Sequence, residues 1–451
     1  MKKKLLAMVL VAALVVSTFL IVACGNDTAD SPPAANDVDT ATDDATTDDP
    51  SEPEEAGGNL TGTFTAWVPF GSEVDNFGAY LQAFGDLHPD LNFDFSFGDD
   101  YRNQIRMAIT AGEAPDIIFV YAGETFMEFI DFGIGMDLTD IVIERGFRER
   151  VYEDHFDNFT VDGRLYGMPV GGVTVWGALY ANMDILNERG LEIPQTMDEL
   201  FAMSEILRAD NIQTLAIGVE SGFPITLFLG DLFYQLAPFS EVEALVSGET
   251  RFVDSAPMRQ ALETVARLGT EGVFIDGFGN MGIGEATWFW ADGGAAFHYL
   301  GSWWTGVTDG RSDFGFEIQP IWIPLMEGVS DRVAVQMSAD NAMMININTE
   351  NVEAAIAFMD YFTSREAQTI YCEENNIFSI YPGLNRELNF DPIFMEPAIQ
   401  DQFDYPFTGV FFDNAFPFAL RGLMITNTTE VALGMMTVDE ALEAWDRELA
   451  R

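Results

Sequence analysis

The sequence predicts an α/β fold arranged as two lobes, and three observations carry that reading. From Leu60 onward, strand-like and helix-like patterns alternate, the order that builds a layered structure on a mainly parallel sheet. The patterned part is about 390 residues long, more than one hydrophobic core comfortably serves, so two lobes are expected. The chain is 48% hydrophobic and 13% aromatic, which supplies the apolar surface for both cores.

The first strand is read in Gly62-Thr63-Phe64-Thr65-Ala66-Trp67-Val68, ended by the turn Pro69-Phe70-Gly71. Phe77, Tyr80, Leu81 and Phe84 then recur at helical spacing, and His88-Pro89 closes that helix, with His88 as an end cap. Leu91-Asn92-Phe93-Asp94-Phe95 alternates as a half-buried strand does. A helix over residues 101–110 leads through Ala111-Gly112-Glu113-Ala114-Pro115 into the apolar strand Asp116-Ile117-Ile118-Phe119-Val120. Thr196-Met197-Asp198-Glu199 and Thr437-Val438-Asp439-Glu440 are capping boxes, in which the hydroxyl and the carboxylate each satisfy a free backbone N–H. Leu200, Met203 and Leu207 continue the first of these as an apolar stripe. Residues 351–362 form a further helix with Ala355, Phe358, Met359 and Phe362 facing inward. No internal repeat is visible.

The amino-terminal end has its own logic. Lys2, Lys3 and Lys4 precede an apolar run over residues 5–22, and the run stops at Ala23-Cys24-Gly25, which describes a secretory signal peptide. A run of this length just spans a bilayer, so a plain transmembrane anchor is the alternative. The position of Cys24 at the end of the run favours processing. Ile21-Val22-Ala23-Cys24 resembles the bacterial lipobox, with isoleucine where leucine is usual, and the resemblance implies a diacylglycerol on Cys24 and cleavage before it. Residues 26–58 are mostly Asp, Glu, Thr, Ala and Pro, with no basic or aromatic side chain. Such a stretch buries too little apolar area to order itself and is expected to be an extended acidic tether. With Cys24 lipidated, Cys372 has no disulfide partner and is read as a buried small hydrophobe.

Charge and chemistry narrow the function classes. There are 73 acidic residues against 21 basic ones, a formal net charge of −52, so phosphate backbones and anionic lipid surfaces are repelled and nucleic-acid partners are excluded. His88, His155 and His298 are far apart and lack metal-ligand spacing. No Gly-x-Ser-x-Gly elbow, phosphate-cradling loop or dinucleotide fingerprint is present. No metal, cofactor or catalytic residue is expected.

The order of several motifs resembles family 1 extracellular solute-binding proteins of ABC importers. Gly112-Glu113-Ala114-Pro115-Asp116-Ile117-Ile118 and Asp162-Gly163-Arg164-Leu165-Tyr166-Gly167-Met168-Pro169 are similar to two family signatures. Leu179-Tyr180-Ala181-Asn182-Met183-Asp184, Pro194-Gln195-Thr196-Met197-Asp198-Glu199-Leu200, Gly294-Ala295-Ala296-Phe297 and Gly301-Ser302-Trp303 follow in the family's order. The chain departs at Ala181-Asn182-Met183, where the family has Asn-Lys after the tyrosine, and residues 390–423 match no part of the pattern. The resemblance implies a periplasmic-binding-protein-like fold, two α/β lobes joined by three chain crossings with the ligand in the cleft between them. Lobe 1 would comprise residues 59–172 and 338–381, and lobe 2 residues 173–337 and 382–451, after a signal peptide at 1–23 and a tether at 24–58. The crossings fall near Gly171-Gly172, Met337-Ser338 and Tyr381-Pro382, hinge positions in this reading or ordinary turns in a plainer one.

The expected function is a lipid-anchored, extracytoplasmic receptor, on the outer face of the cell membrane, handing a sugar or oligosaccharide to ABC importer permease subunits. Sugars offer C–H faces to aromatic rings and hydroxyls to carboxylates. Trp67, Phe70, Tyr121, Trp176, Trp288, Trp290, Trp303, Trp304 and Trp322 form an aromatic set near expected strand ends and turns, where α/β lobes bind ligands. Trp303 is the first candidate, because family members often stack a sugar there, and Trp176 follows because it lies just past the first crossing. Trp67, Phe70, Tyr121 and Trp304 complete the aromatic candidates, with Glu73 and Glu124 as hydroxyl acceptors. Core packing is the competing role for each tryptophan, and a solvated loop for each carboxylate. A lipid-anchored glycan-degrading enzyme or adhesin is the alternative class, and a polyol, peptide or organic phosphate the alternative ligand.

Overall fold

In the computed structural model, residues 60–68, 78–97, 101–170, 172–175, 177–220, 222–302, 304, 313–338, 341–375, 377–388 and 410–450 are described. Their strands, in chain order, are β1 (Gly62–Val68), β2 (Leu91–Phe97), β3 (Ile117–Tyr121), β4 (Thr160–Val161), β5 (Arg164–Leu165), β6 (Met168–Pro169) and β7 (Gly172–Val175). Then follow β8 (Ala178–Asn182), β9 (Gln213–Ala216), β10 (Ala295–His298), β11 (Ile318–Trp322), β12 (Met337–Ser338), β13 (Asn341–Ile345) and β14 (Phe378–Ser379). The signal peptide, the tether and Cys24 lie outside the described residues.

The first lobe is a five-stranded sheet in the order β2-β1-β3-β13-β6. Its first three strands are parallel, Gly62 opposite Leu91 and Ala66 opposite Ile117, as strand-helix-strand connections require. The helices Gly78–Leu87 and Tyr101–Ala111 make those connections. β13 arrives from more than two hundred residues later and adds antiparallel, Ile345 opposite Ile117. The contacts of Asp116 show why an aspartate stands before β3. Its carboxylate accepts the Thr65 N–H at 2.7 Å, the Thr65 hydroxyl at 2.8 Å, the Asn351 amide at 3.1 Å and the Thr349 hydroxyl. One buried carboxylate thus ties β1, β3 and the chain after β13 together, and its hydrogen bonds offset its desolvation.

The second lobe holds a four-stranded sheet, β11-β8-β10-β9. Here only the β9–β10 pair is parallel, while β8 runs antiparallel to both β10 and β11. The mainly parallel sheet predicted from residues 60–120 therefore holds for the strands that predicted it and not for this lobe. Its core helix Phe223–Tyr234 is apolar on nearly every side and correspondingly buried. Both capping boxes form, opening the helices Met197–Ala209 and Val438–Leu449. The inward-facing helix near residue 351 is Val352–Phe362.

A third, three-stranded ribbon, β12-β7-β14, lies between these sheets in the chain's path. Val175 and Thr174 pair with Met337 and Ser338, and Val173 and Gly172 pair with Phe378 and Ser379. β7 and β12 each lie within a few residues of strands of the large sheets, while β14 follows the helix Arg365–Asn375, so three chain passages run side by side. Tyr381 and Pro382 lie just beyond the third strand rather than in it, where the Tyr381 N–H donates to the Ser379 hydroxyl at 2.9 Å.

Candidate functional site

The carboxyl ends of β1, β2 and β3 point the same way, because those strands are parallel, and such ends are where an α/β lobe meets its ligand. Trp67 and Tyr121 occupy two of these ends. Trp67 is half-buried, opposite Ser96 and Ile118, and packs on the core of the first lobe. Tyr121 is the last residue of β3, half-buried and opposite Asn341. Glu124 begins the helix Glu124–Asp131 directly after the β3 turn, so its backbone stands at the same rim. Phe70, Glu73, Gly171, Trp176 and Trp303 lie outside the described residues. Gly172, Met337 and Ser338 are in the ribbon.

Trp304 is corrected. It has no exposed surface, and Trp290, Tyr180, Phe314 and His298 surround it at ring separations of 5.1, 5.2, 5.5 and 6.3 Å. A ring packed on all sides has no face left for a sugar, so Trp304 belongs to the core of the second lobe. Trp290 shares that core, and both it and Trp288 sit in the helix Ile283–Ala291 rather than at a strand end. Trp322, at the end of β11, is covered by the Arg332 guanidinium at 3.9 Å from the ring centroid.

His88, His298 and Cys372 sit in packed surroundings. His88 rests edge-on against Phe84 at 4.8 Å, with its N–H on the last turn of its helix. His298 is enclosed between the Thr287 hydroxyl and the Ala216 carbonyl, each at 3.3 Å, and burial pulls its pKa down to about 4, so it stays neutral. Cys372 is fully buried, and burial pushes its thiol well above the ordinary range. Among the described residues no three acids, histidines or cysteines are grouped as a metal would need.

Sequence reasoning passed over a buried polar network in the second lobe. Asp231 accepts the Tyr299 hydroxyl at 2.6 Å and the Gln336 amide at 2.8 Å, and the Gly177 N–H also points at it. Gln336 in turn accepts the Phe412 N–H at 2.8 Å and donates to the Leu227 carbonyl at 2.9 Å. Gln336 immediately precedes β12, and Gly177 lies two residues past β7, so one carboxylate braces two of the three passages. Burial raises its pKa to about 7, against the pull of those donors and of Arg332. An aspartate in the middle of an apolar helix is the signal that marks this site. A cavity of roughly 10 Å³ beside it, lined by Gln235, Trp322 and Arg332 among others, has room for about one water and none for a sugar.

Comparison with known proteins agrees with this architecture. Residues 70–369 match the family model described as bacterial extracellular solute-binding protein. An uncharacterised ABC transporter extracellular-binding protein of Pyrococcus horikoshii is 24% identical over 306 residues, covering 67% of this chain and 68% of the relative. An alpha-glucosides-binding periplasmic protein of Rhizobium meliloti is 21% identical over 347 residues, 73% of this chain and 74% of that one. A solved chitin oligosaccharide binding protein superposes with a TM-score of 0.77 at 21% identity, covering 86% of this chain and 98% of its own. That last likeness concerns the fold, which is two-lobed in both. With the family model spanning most of both lobes, the chain belongs to the bacterial extracellular solute-binding protein family.

Proposed function

We propose that this protein is the solute receptor of an ABC importer, capturing an oligosaccharide or smaller sugar by closure of its two lobes and performing no chemistry on it. The observation that carries the reading is the ribbon β12-β7-β14, which gathers three chain passages between two separately built sheets. Short passages of two to four residues between rigid elements are where a hinge absorbs dihedral change. Gly172, Met337 and Ser338 are hinge residues in this proposal, with the third hinge at Phe378-Ser379 and Tyr381-Pro382 at its end. The lobe boundaries at residues 172, 338 and 381 belong to the same proposal. The names of the relatives, one binding alpha-glucosides and one chitin oligosaccharides, support a sugar as the solute.

Within the cleft, Trp303 is proposed as the stacking platform and Trp176, Trp67, Tyr121 and Phe70 as further walls, with Glu73 and Glu124 as acceptors for hydroxyls. The test is a thermal-shift screen with alpha-glucosides and chitin oligosaccharides, since a ligand that binds only the folded state raises Tm. A binding sugar is expected to be recovered uncleaved, and cleavage would return the protein to the enzyme class. Trp303→Ala is expected to weaken that sugar about thirtyfold, roughly 2 kcal/mol, at a near-normal Tm. Intact affinity in the folded variant would move the platform elsewhere.

The anchor at Cys24 is part of the proposal. No described helix is long and apolar enough to cross a membrane. A single acyl chain holds a protein only marginally, whereas a diacyl group holds it durably. Cys24→Ser is therefore expected to abolish the lipid mass on the mature chain, and a lipid that persists in the variant rules the anchor out.

A further inference from the structure

Beside the ribbon, the lobes meet at a glycine that leaves no room for a side chain. Gly123 lies two residues past the carboxyl end of β3, the kind of strand end at which an α/β lobe meets its ligand. Its backbone has φ 88° and ψ −146°. A Cβ added there would overlap the carbonyl oxygen of Asn414 and come within 3.0 Å of its carbonyl carbon and 3.6 Å of Val410 Cγ1. Asn414 sits in the tight turn Phe412–Ala415, where Phe412, Asp413 and Asn414 are buried.

That turn belongs to the second lobe. The Phe412 ring lies 5.7 Å from Phe233 and 6.1 Å from Tyr234, both in the core helix Phe223–Tyr234. Asp413 is paired with Arg421 at 2.8 Å in a nearly dry setting. The Phe412 N–H is held by Gln336, the residue before β12. The turn is therefore fastened to a crossing strand on one side and pressed on the first lobe on the other. It also lies beyond residues 70–369, the span that matches the family.

We propose that residues 410–415 are a closure latch, which seats on Gly123 and holds the two lobes together independently of the solute. The inference rests on the two-lobed capture reading above and adds a device to it. The contact is made by protein groups alone, so it favours the closed arrangement whichever sugar occupies the cleft. A closed state populated in advance also reduces the closing free energy that solute binding must supply. Glycine at 123 is then required twice, once for its positive φ and once for the approach of Asn414.

The test measures the distance between spin labels at Leu87→Cys in the first lobe and Leu433→Cys in the second, both exposed positions. The full chain is used with Cys24→Ser, and Cys372 is too buried to label. No sugar is added, so failure of the sugar proposal leaves the result unaffected. The otherwise unsubstituted protein is expected to show a distinct short-distance population. Gly123→Ala is expected to lengthen that distance by several ångströms, whereas Gly133→Ala, also at positive φ but with open space around it, leaves it unchanged. Val410→Trp fills the same gap from the other lobe without a φ penalty and decides the matter where Gly123→Ala does not fold. Absence of the short population, or an unchanged or shortened distance in folded Val410→Trp, overturns the latch.

Discussion

Asp231 is the residue whose chemistry the fold changes most. Its carboxylate faces Tyr299, Gln336 and the Gly177 N–H, with Arg332, Tyr234 and the Asp413–Arg421 pair as the surrounding titratable groups. Burial raises its pKa to about 7, whereas the unfolded chain releases the same proton near pH 4. The folded state thus holds a proton that the unfolded state has lost across that interval. The contribution to stability is fully present below about pH 4, is lost as pH rises toward 7, and is constant above. In chemical denaturation at pH 4.5, 6 and 8, the stability of the native chain minus that of Asp231→Asn is expected to fall by a few kcal/mol. Taking the difference cancels the general repulsion among carboxylates, and a flat difference would show that Asp231 is ionised throughout.

At the scale of elements, local chemistry decides where helices begin. Thr196 accepts the Glu199 N–H at 3.3 Å, and Glu199 accepts the N–H groups of Thr196 and Gln195 at 3.1 and 2.6 Å. The helix Met197–Ala209 that this opens buries Leu200, Met203 and Leu207. Thr196→Ala is expected to cost about 1 kcal/mol, read as a lower denaturant midpoint at unchanged m-value, while Thr196→Ser is close to neutral. A midpoint unmoved by Thr196→Ala would mean that packing of the stripe alone sets the helix start.

At the scale of the whole molecule, the charge balance has an unusual composition. Lys2, Lys3 and Lys4 are the only lysines, so every other basic side chain is an arginine, charged at any working pH. Many of these guanidinium groups sit in exposed pairs with acids, such as Arg259–Asp439 and Arg447–Glu443, which individually contribute little. A net charge of −52 leaves most carboxylates facing one another across water. The screening length falls from about 30 Å at 0.01 M salt to about 3 Å at 1 M. Tm is therefore expected to rise by several degrees over that range at pH 7 and much less at pH 4, where about half of the carboxylates are protonated. Equal slopes at the two pH values would mean that the salt acts on hydrophobic burial instead.

The sequence by itself determined the elements whose signals are local. Strand alternation in Gly62–Val68, the capping boxes at Thr196 and Thr437, and the apolar strand after Pro115-Asp116 each depend on neighbours a few residues away, and the order of motifs named the family. What only the tertiary structure decided depends on residues far apart in the chain. Trp304 reads like any other tryptophan in a glycine-rich turn until Trp290, Tyr180 and Phe314 are brought around it. Asp116 reads as part of a signature until Thr65, Thr349 and Asn351 converge on it. β7, β12 and β14 are too short to carry a periodic pattern and become a ribbon only by pairing across more than a hundred and fifty residues. The seat of Asn414 on Gly123 is likewise invisible in the chain, because steric exclusion between two backbones nearly three hundred residues apart is a property of packing and leaves no local periodicity to read.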